Sequence, residues 1–144
     1  MATSLTFTGT MFVSASTFTS ASQSTTQSIV TGGALGSRIY GISAQSSSSG
    51  SVQLNIAYSS STIIVPLYSV VVAANSGVTG SVAPTDIFGS TAGSPVFQKQ
   101  KDANGAPYFN LPTNSSIIAI VSGSTLQRIL PSASLSIVSF GENY

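Results

Sequence analysis

The feature that most constrains this chain is hydrophobic alternation at every second residue. Leu5, Phe7, Gly9 and Met11 alternate with Thr6, Thr8, Thr10 and Phe12, and Val52, Leu54 and Ile56 alternate with Gln53, Asn55 and Ala57. A period of two sends successive side chains to opposite faces of a pleated strand, one toward a core and the other toward solvent. The sole helical candidate is a single turn at 84–89, with Thr85 or Asp86 as its cap. The chain therefore reads as all-β.

Strands are expected at short intervals, each bounded by turn residues. The first covers Leu5 to Met11. Residues 14–33 are nearly all Ser, Thr, Gln and Ala, with isolated Phe18, Ile29 and Val30, and read as an arm or long loop. Strands follow over 36–44, which carries Ile39 and Ile42, and over 52–56, with residues 45–50 as a flexible Ser-rich connector. Pro66 has no ladder donor and is expected to divide 62–74 into a short edge strand and a longer strand at 67–73. Asn75-Ser76-Gly77 opens a turn. Residues 95–98 and 106–111 flank Asp102-Ala103-Asn104-Gly105, where an Asn-Gly pair supplies the positive φ that hairpin turns demand. Strands at 117–121 and 135–140 complete about eight, the number handled by two packed sheets. The expected architecture is one antiparallel β-sandwich, jelly-roll-like, with a first strand and Ser/Thr-rich arm over 1–33 and a body over 34–144.

Composition narrows the function. Hydrophobic residues make up 42% of the 144, enough for a core, but charged residues only 5%, against about a quarter in ordinary domains. Ser and Thr take their place at close to a third of all positions. A net charge of +1 provides little long-range repulsion between copies, which favours assembly. Arg38, Lys99, Lys101 and Arg128 are scattered, which argues against nucleic acid; Lys99 and Lys101 read as a solvated hairpin tip. No run reaches the roughly 18–20 apolar residues of a membrane-spanning helix. No secretory signal is legible in residues 1–28, so synthesis in a cytoplasm is expected.

Catalytic equipment is sparse. The chain has no His and no Cys, which removes the usual general base, the usual zinc ligands and any thiolate nucleophile. Asp86, Asp102 and Glu142 lie far apart in sequence, and Lys99 or Lys101 as base to a Ser is a chance pairing in so Ser-rich a chain. Gly32-Gly33-Ala34-Leu35-Gly36 lacks dinucleotide-loop spacing. The expectation is a protein that is not an enzyme, with no catalytic, cofactor-binding or metal-binding residues and no cofactor. Asn114-Ser115-Ser116 matches a glycosylation acceptor by composition alone. Tyr40, Tyr58, Tyr68, Tyr108 and Tyr144 could form a sugar-stacking or interface surface, or serve as half-buried core and rim.

From about Gly36 onward the chain resembles the small β-sandwich decoration or cement proteins of tailed bacteriophages. The likeness is carried by Arg38-Ile39-Tyr40-Gly41-Ile42 with the Ser-rich connector and 52–56, by the hairpin at 102–112, and by 135–140 before Gly141-Glu142-Asn143-Tyr144. It implies a sandwich, often trimeric, that binds across joints between major capsid protein subunits on the virion surface. It shares no position-specific motif, so no residue role is carried over. The leading expectation is thus a structural virion protein that decorates or cements a capsid as a homotrimer, with the arm and outer loops as contact surfaces. The alternative is a carbohydrate- or receptor-binding module of a fibre or adhesin, with exposed Tyr and Asn side chains meeting a sugar.

Overall fold

Alternation is realised directly in the strands: along Ser115–Val121 every second residue is buried, and Ser134–Asn143 repeats the pattern over most of its length. The computed structural model describes residues 9–22, 24–87, 100–101, 103–105, 107–121 and 128–144. These form β1 (Thr10–Thr19), β2 (Gln27–Thr31), β3 (Ser37–Ser46), β4 (Val52–Ser60), β5 (Ile63–Val72), β6 (Thr85–Asp86), β7 (Gln100–Lys101), β8 (Pro107–Leu111), β9 (Ser115–Val121) and β10 (Ser134–Asn143). The fold is all-β and consists of two antiparallel sheets packed together. Eight of the described strands have five residues or more; the number agrees with the expected one, but β2 was not among the expected strands and β5 is undivided.

One long fold-back organises the pairing. Around the turn at 61–62, β4 pairs with β5; outward from it β3 pairs with β8, β2 with β9 and β1 with β10. Alternate pairs fall in opposite sheets. The first sheet runs β1-β10-β3-β8-β7, with β6 beside the second half of β3, and the second runs β2-β9-β4-β5. Between them lie Phe18, Ile39, Ile42, Phe109, Leu111, Leu135 and Ile137 from the first sheet, and Ile29, Leu54, Ile56, Val72, Ile117 and Val121 from the second. Burial of these side chains, at about 1.5–3 kcal/mol each, is the driving force that closes the sandwich.

Residues 14–33 are not an arm. They carry most of β1, all of β2 and the turn between them, and they close one corner of the sandwich. Ser14 and Ser16 face inward on β1 but bury no apolar surface. Instead the Ser14 hydroxyl donates to the Ile29 carbonyl at 3.3 Å and the Ser16 hydroxyl to the Ser28 carbonyl at 2.7 Å. Ile29 is the extra residue of a β-bulge, since Ser28 and Val30 oppose consecutive residues of β9. The bulge lets both Ile29 and Val30 be buried, and the buried Ser139 of β10 also donates to the Ile29 carbonyl. Serine hydroxyls therefore join edge strands of two different sheets, a task an apolar residue cannot perform.

Other expectations are corrected by equally local causes. Of the expected strand from Leu5 to Met11, residues 5–8 lie outside the described residues, and Thr10 and Met11 open β1. The connector at 45–50 is pinned, not flexible. The Ser46 amide donates to the Ser76 carbonyl, the Asn75 amide to the Ser48 carbonyl and the Ser47 amide to the Ser134 carbonyl, and Ser46, Ser48 and Ser76 are wholly buried. Pro66 does not divide β5, because the strand lies at a sheet edge and the register shift at Ile56/Ala57 absorbs the missing donor. Thr85 and Asp86 pair with Ala44 and Ser43 in place of a helical turn, and the Thr85 hydroxyl accepts from the Ala73 amide. At the 102–105 hairpin β7 pairs with β8; Gly105 takes a positive φ of 82°, while Asn104 does not, because the loop is longer than a two-residue turn. Residues 95–98, Phe88, Gly89 and Asp102 lie outside the described residues.

Two predictions follow from these contacts. Replacing Ser14 and Ser16 together by Ala removes both inter-sheet hydrogen bonds and lowers stability by about 1–2 kcal/mol, read as a shifted urea midpoint with an unchanged slope. The second concerns Tyr68, whose hydroxyl donates to the Ile87 carbonyl at 2.6 Å. Burial, with Asp86 adding, pushes its pKa from 10 up to about 12. The folded state thus holds this proton more tightly than the unfolded one, so the stabilisation is complete below pH 10 and is lost as pH rises from 10 through about 12. Alkaline thermal melts should show this decline in the parent protein, and Tyr68→Phe should flatten it.

Candidate functional site

The outer face of the first sheet gathers more chemistry than any other described surface. Register places Met11 of β1 opposite Glu142 of β10, Glu142 opposite Arg38 of β3, and Arg38 opposite Asn110 of β8. This is a row of mostly polar side chains running across four adjacent strands. Two residues along β1 and β10, Val13 opposes Phe140, and Phe140 opposes Gly41. The register then slips by one residue, so Tyr40 is the extra residue of a bulge on β3. An open, apolar depression of about 340 Å³ lies beside the polar row, lined by Met11, Tyr40, Pro107 and Phe140, one from each of the four strands.

The side chains are held in place by one another. The Arg38 guanidinium sits 4.7 Å from the centre of the Tyr108 ring and 5.3 Å from that of Tyr144, within cation–π range. Its Nε donates to the Tyr144 hydroxyl, which in turn donates to Asn110 Oδ1 at 3.1 Å. The Tyr40 ring packs at a tilt against Tyr108, with centroids 5.9 Å apart, and its hydroxyl donates to Glu142 Oε2 at 3.3 Å. Glu142 Oε1 accepts the Gly9 amide at 3.0 Å. Burial works against the Arg38 charge, but hydrogen bonds with Tyr40 and Tyr144 outweigh it and raise the pKa above the ordinary guanidinium value. Arg38 is thus a fixed cation and a rigid planar donor.

Glycine shapes the floor. A Cβ on Gly41 would run into the Phe140 ring, so the ring leans over the bare backbone there. It keeps 45% of its surface exposed, and Met11 keeps 66%.

Three of the five tyrosines singled out in the sequence, Tyr40, Tyr108 and Tyr144, meet at this face. Tyr58 and Tyr68 are on the second sheet, packed against the core. The two described acids do not converge. Asp86 pairs with Ser43 at one half of β3 and Glu142 with Arg38 at the other. Among the described residues no three of His, Cys, Asp and Glu gather as a metal site, and no helix is long and apolar enough to cross a membrane. Lys99 and Asp102 lie outside the described residues, Arg128 is exposed, and Asn114 is an exposed turn residue with φ of 58° entering β9.

A second surface is the β5 edge of the second sheet. Ile63, Ile64, Val65 and Val71 are 57%, 64%, 44% and 50% exposed, and the sequence carries no charged residue between Arg38 and Asp86. A long apolar edge without charge is a surface that native sheets ordinarily protect. No protein-family model matches the chain, and neither a curated protein nor a solved structure is similar to it.

The Gly41 contact is directly testable. Gly41→Ala should push the half-exposed Phe140 ring off its present rotamer and cost about 0.5–1.5 kcal/mol. Gly50→Ala, at a position with nothing within 4 Å of an added Cβ, should change stability by less than about 0.5 kcal/mol.

Proposed function

We propose that this chain is a structural, non-enzymatic protein that works by association, and that it serves as an accessory protein of a bacteriophage virion, a homotrimer decorating or cementing the major capsid protein shell. The observation that carries the reading is the β5 edge: a ten-residue strand that is the last of its sheet among the described residues, with four exposed β-branched residues and no charge. Such an edge is completed by another strand or by a neighbouring subunit. The near-neutral surface lets copies approach without repulsion.

The strand order supports the same reading. The eight longer described strands, numbered in turn, lie as first, eighth, third, sixth in one sheet and second, seventh, fourth, fifth in the other, which supports reading the sandwich as a jelly roll, an architecture that viral capsid proteins and lectins use. That support is an analogy of architecture, since one architecture hosts many functions. The contact surface moves from the expected arm to the β5 edge, because residues 10–19 and 27–31 are committed to the two sheets.

The test is the solution mass by light scattering across a range of concentrations. The parent protein should form a discrete oligomer, and Ile64→Lys, at an exposed position, should shift it to monomer by at least tenfold in dissociation constant while the monomer keeps the parent's β circular-dichroism spectrum. A parent protein that stays monomeric at every concentration, or an oligomer indifferent to Ile64→Lys, defeats this assignment.

A further inference from the structure

We propose that the outer face of the first sheet binds an uncharged oligosaccharide, with a sugar ring seated on Tyr40 and Phe140 and its hydroxyls met by Arg38, Glu142 and Asn110. A sugar ring is amphipathic: its C–H face suits an aromatic platform, and its equatorial hydroxyls pair with planar groups that donate or accept two hydrogen bonds at once. The two registers described above supply these features side by side. The apolar depression crosses the sheet beside the row Glu142, Arg38, Asn110, whose members oppose one another on adjacent strands.

Three observations select the ligand. Among the described side chains of the site Arg38 is the cation and Glu142 the anion, and they lie opposite each other in register, so their charges offset, which favours a neutral ligand over an acidic sugar, a phosphate or a strongly charged peptide. Its depression of about 340 Å³ is in the range of small-molecule sites and is open, suiting a ring or two of an extended chain. Its rings and planar groups are fixed before any ligand arrives, by Tyr40 on Glu142, Tyr144 on Asn110 and Arg38 between two tyrosines, which lowers the ordering cost of binding. Phe140 and Met11 remain outward although each adds apolar surface to water.

This face belongs to the opposite sheet from the β5 edge, so sugar binding and self-association separate by mutation. The experiment uses the full chain on an array of neutral and acidic oligosaccharides, with a panel of proline- and aromatic-rich peptides alongside, followed by titration calorimetry with the best neutral glycan. Expected is reproducible binding to a neutral glycan class, weakened at least tenfold by Phe140→Ala and by Met11→Lys and unaffected by Ile64→Lys. Met11 is the more exposed of the two, so its variant keeps the test sound if Phe140→Ala disturbs the sheet, and melting temperatures are compared throughout. Absence of glycan binding, binding confined to acidic glycans, binding of peptides in their place, or a neutral-glycan affinity indifferent to both variants would each overturn the proposal.

Discussion

The pairing of β10 with both β1 and β3 is the interaction on which the rest depends. β10 lies between a strand from the start of the chain and one from its first third, and forms long antiparallel ladders to each. Remove it and the first sheet loses its centre, Leu135 and Ile137 leave the core, and Ser139 no longer reaches the β2 bulge. The outer face would also come apart, because Glu142 and Phe140 meet Arg38, Tyr40 and Gly41 only through this register. Stability and surface chemistry thus rest on the same backbone hydrogen bonds.

Bulges adapt this regular frame to particular tasks. The extra residue in β2 turns two consecutive side chains into the core and leaves a carbonyl that hydroxyls of the other sheet satisfy. The extra residue in β3 re-aims Tyr40 toward Phe140 and Glu142. On β5 Leu67 is the extra residue, since Pro66 and Tyr68 oppose the consecutive Ala57 and Ile56 of β4, and the ladder continues on both sides of the proline. In each case one irregular residue redirects a side chain without interrupting the sheet.

Much of the fold was legible in the sequence because period-two alternation survives in β4, β9 and much of β10, where Val52, Leu54, Ile56, Ile117, Ala119, Val121, Leu135 and Ile137 face inward. It failed in β1 and β2, where two inward positions are Ser14 and Ser16 and the bulge sets Ile29 and Val30 in succession. Serine scores as loop by composition, and only a carbonyl in another sheet reveals what its hydroxyl is for. The site was legible in part. Tyrosine stood out as amphipathic, and three of the five do gather, but Arg38 read as one scattered charge and Glu142 as a C-terminal acid. They stand 104 positions apart in the chain, and no local pattern announces a register between such distant strands.

The central place of β10 also governs how the molecule comes into being. Its residues are the last described in the chain, so while the polypeptide is still being made the first sheet is split, with β1 and β3 each lacking a neighbour. The second sheet, whose four strands all precede residue 122, is complete in sequence earlier, and the β4–β5 hairpin with its two-residue turn is the most local contact available to nucleate it. Joining strands so far apart carries a large loop-closure cost and places folding in the slow range of β-topologies, milliseconds to seconds. During that interval the uncharged β5 edge and the unfilled slot for β10 are open together, and the order in which each is covered decides whether a new copy matures alone or captures a strand from its neighbour.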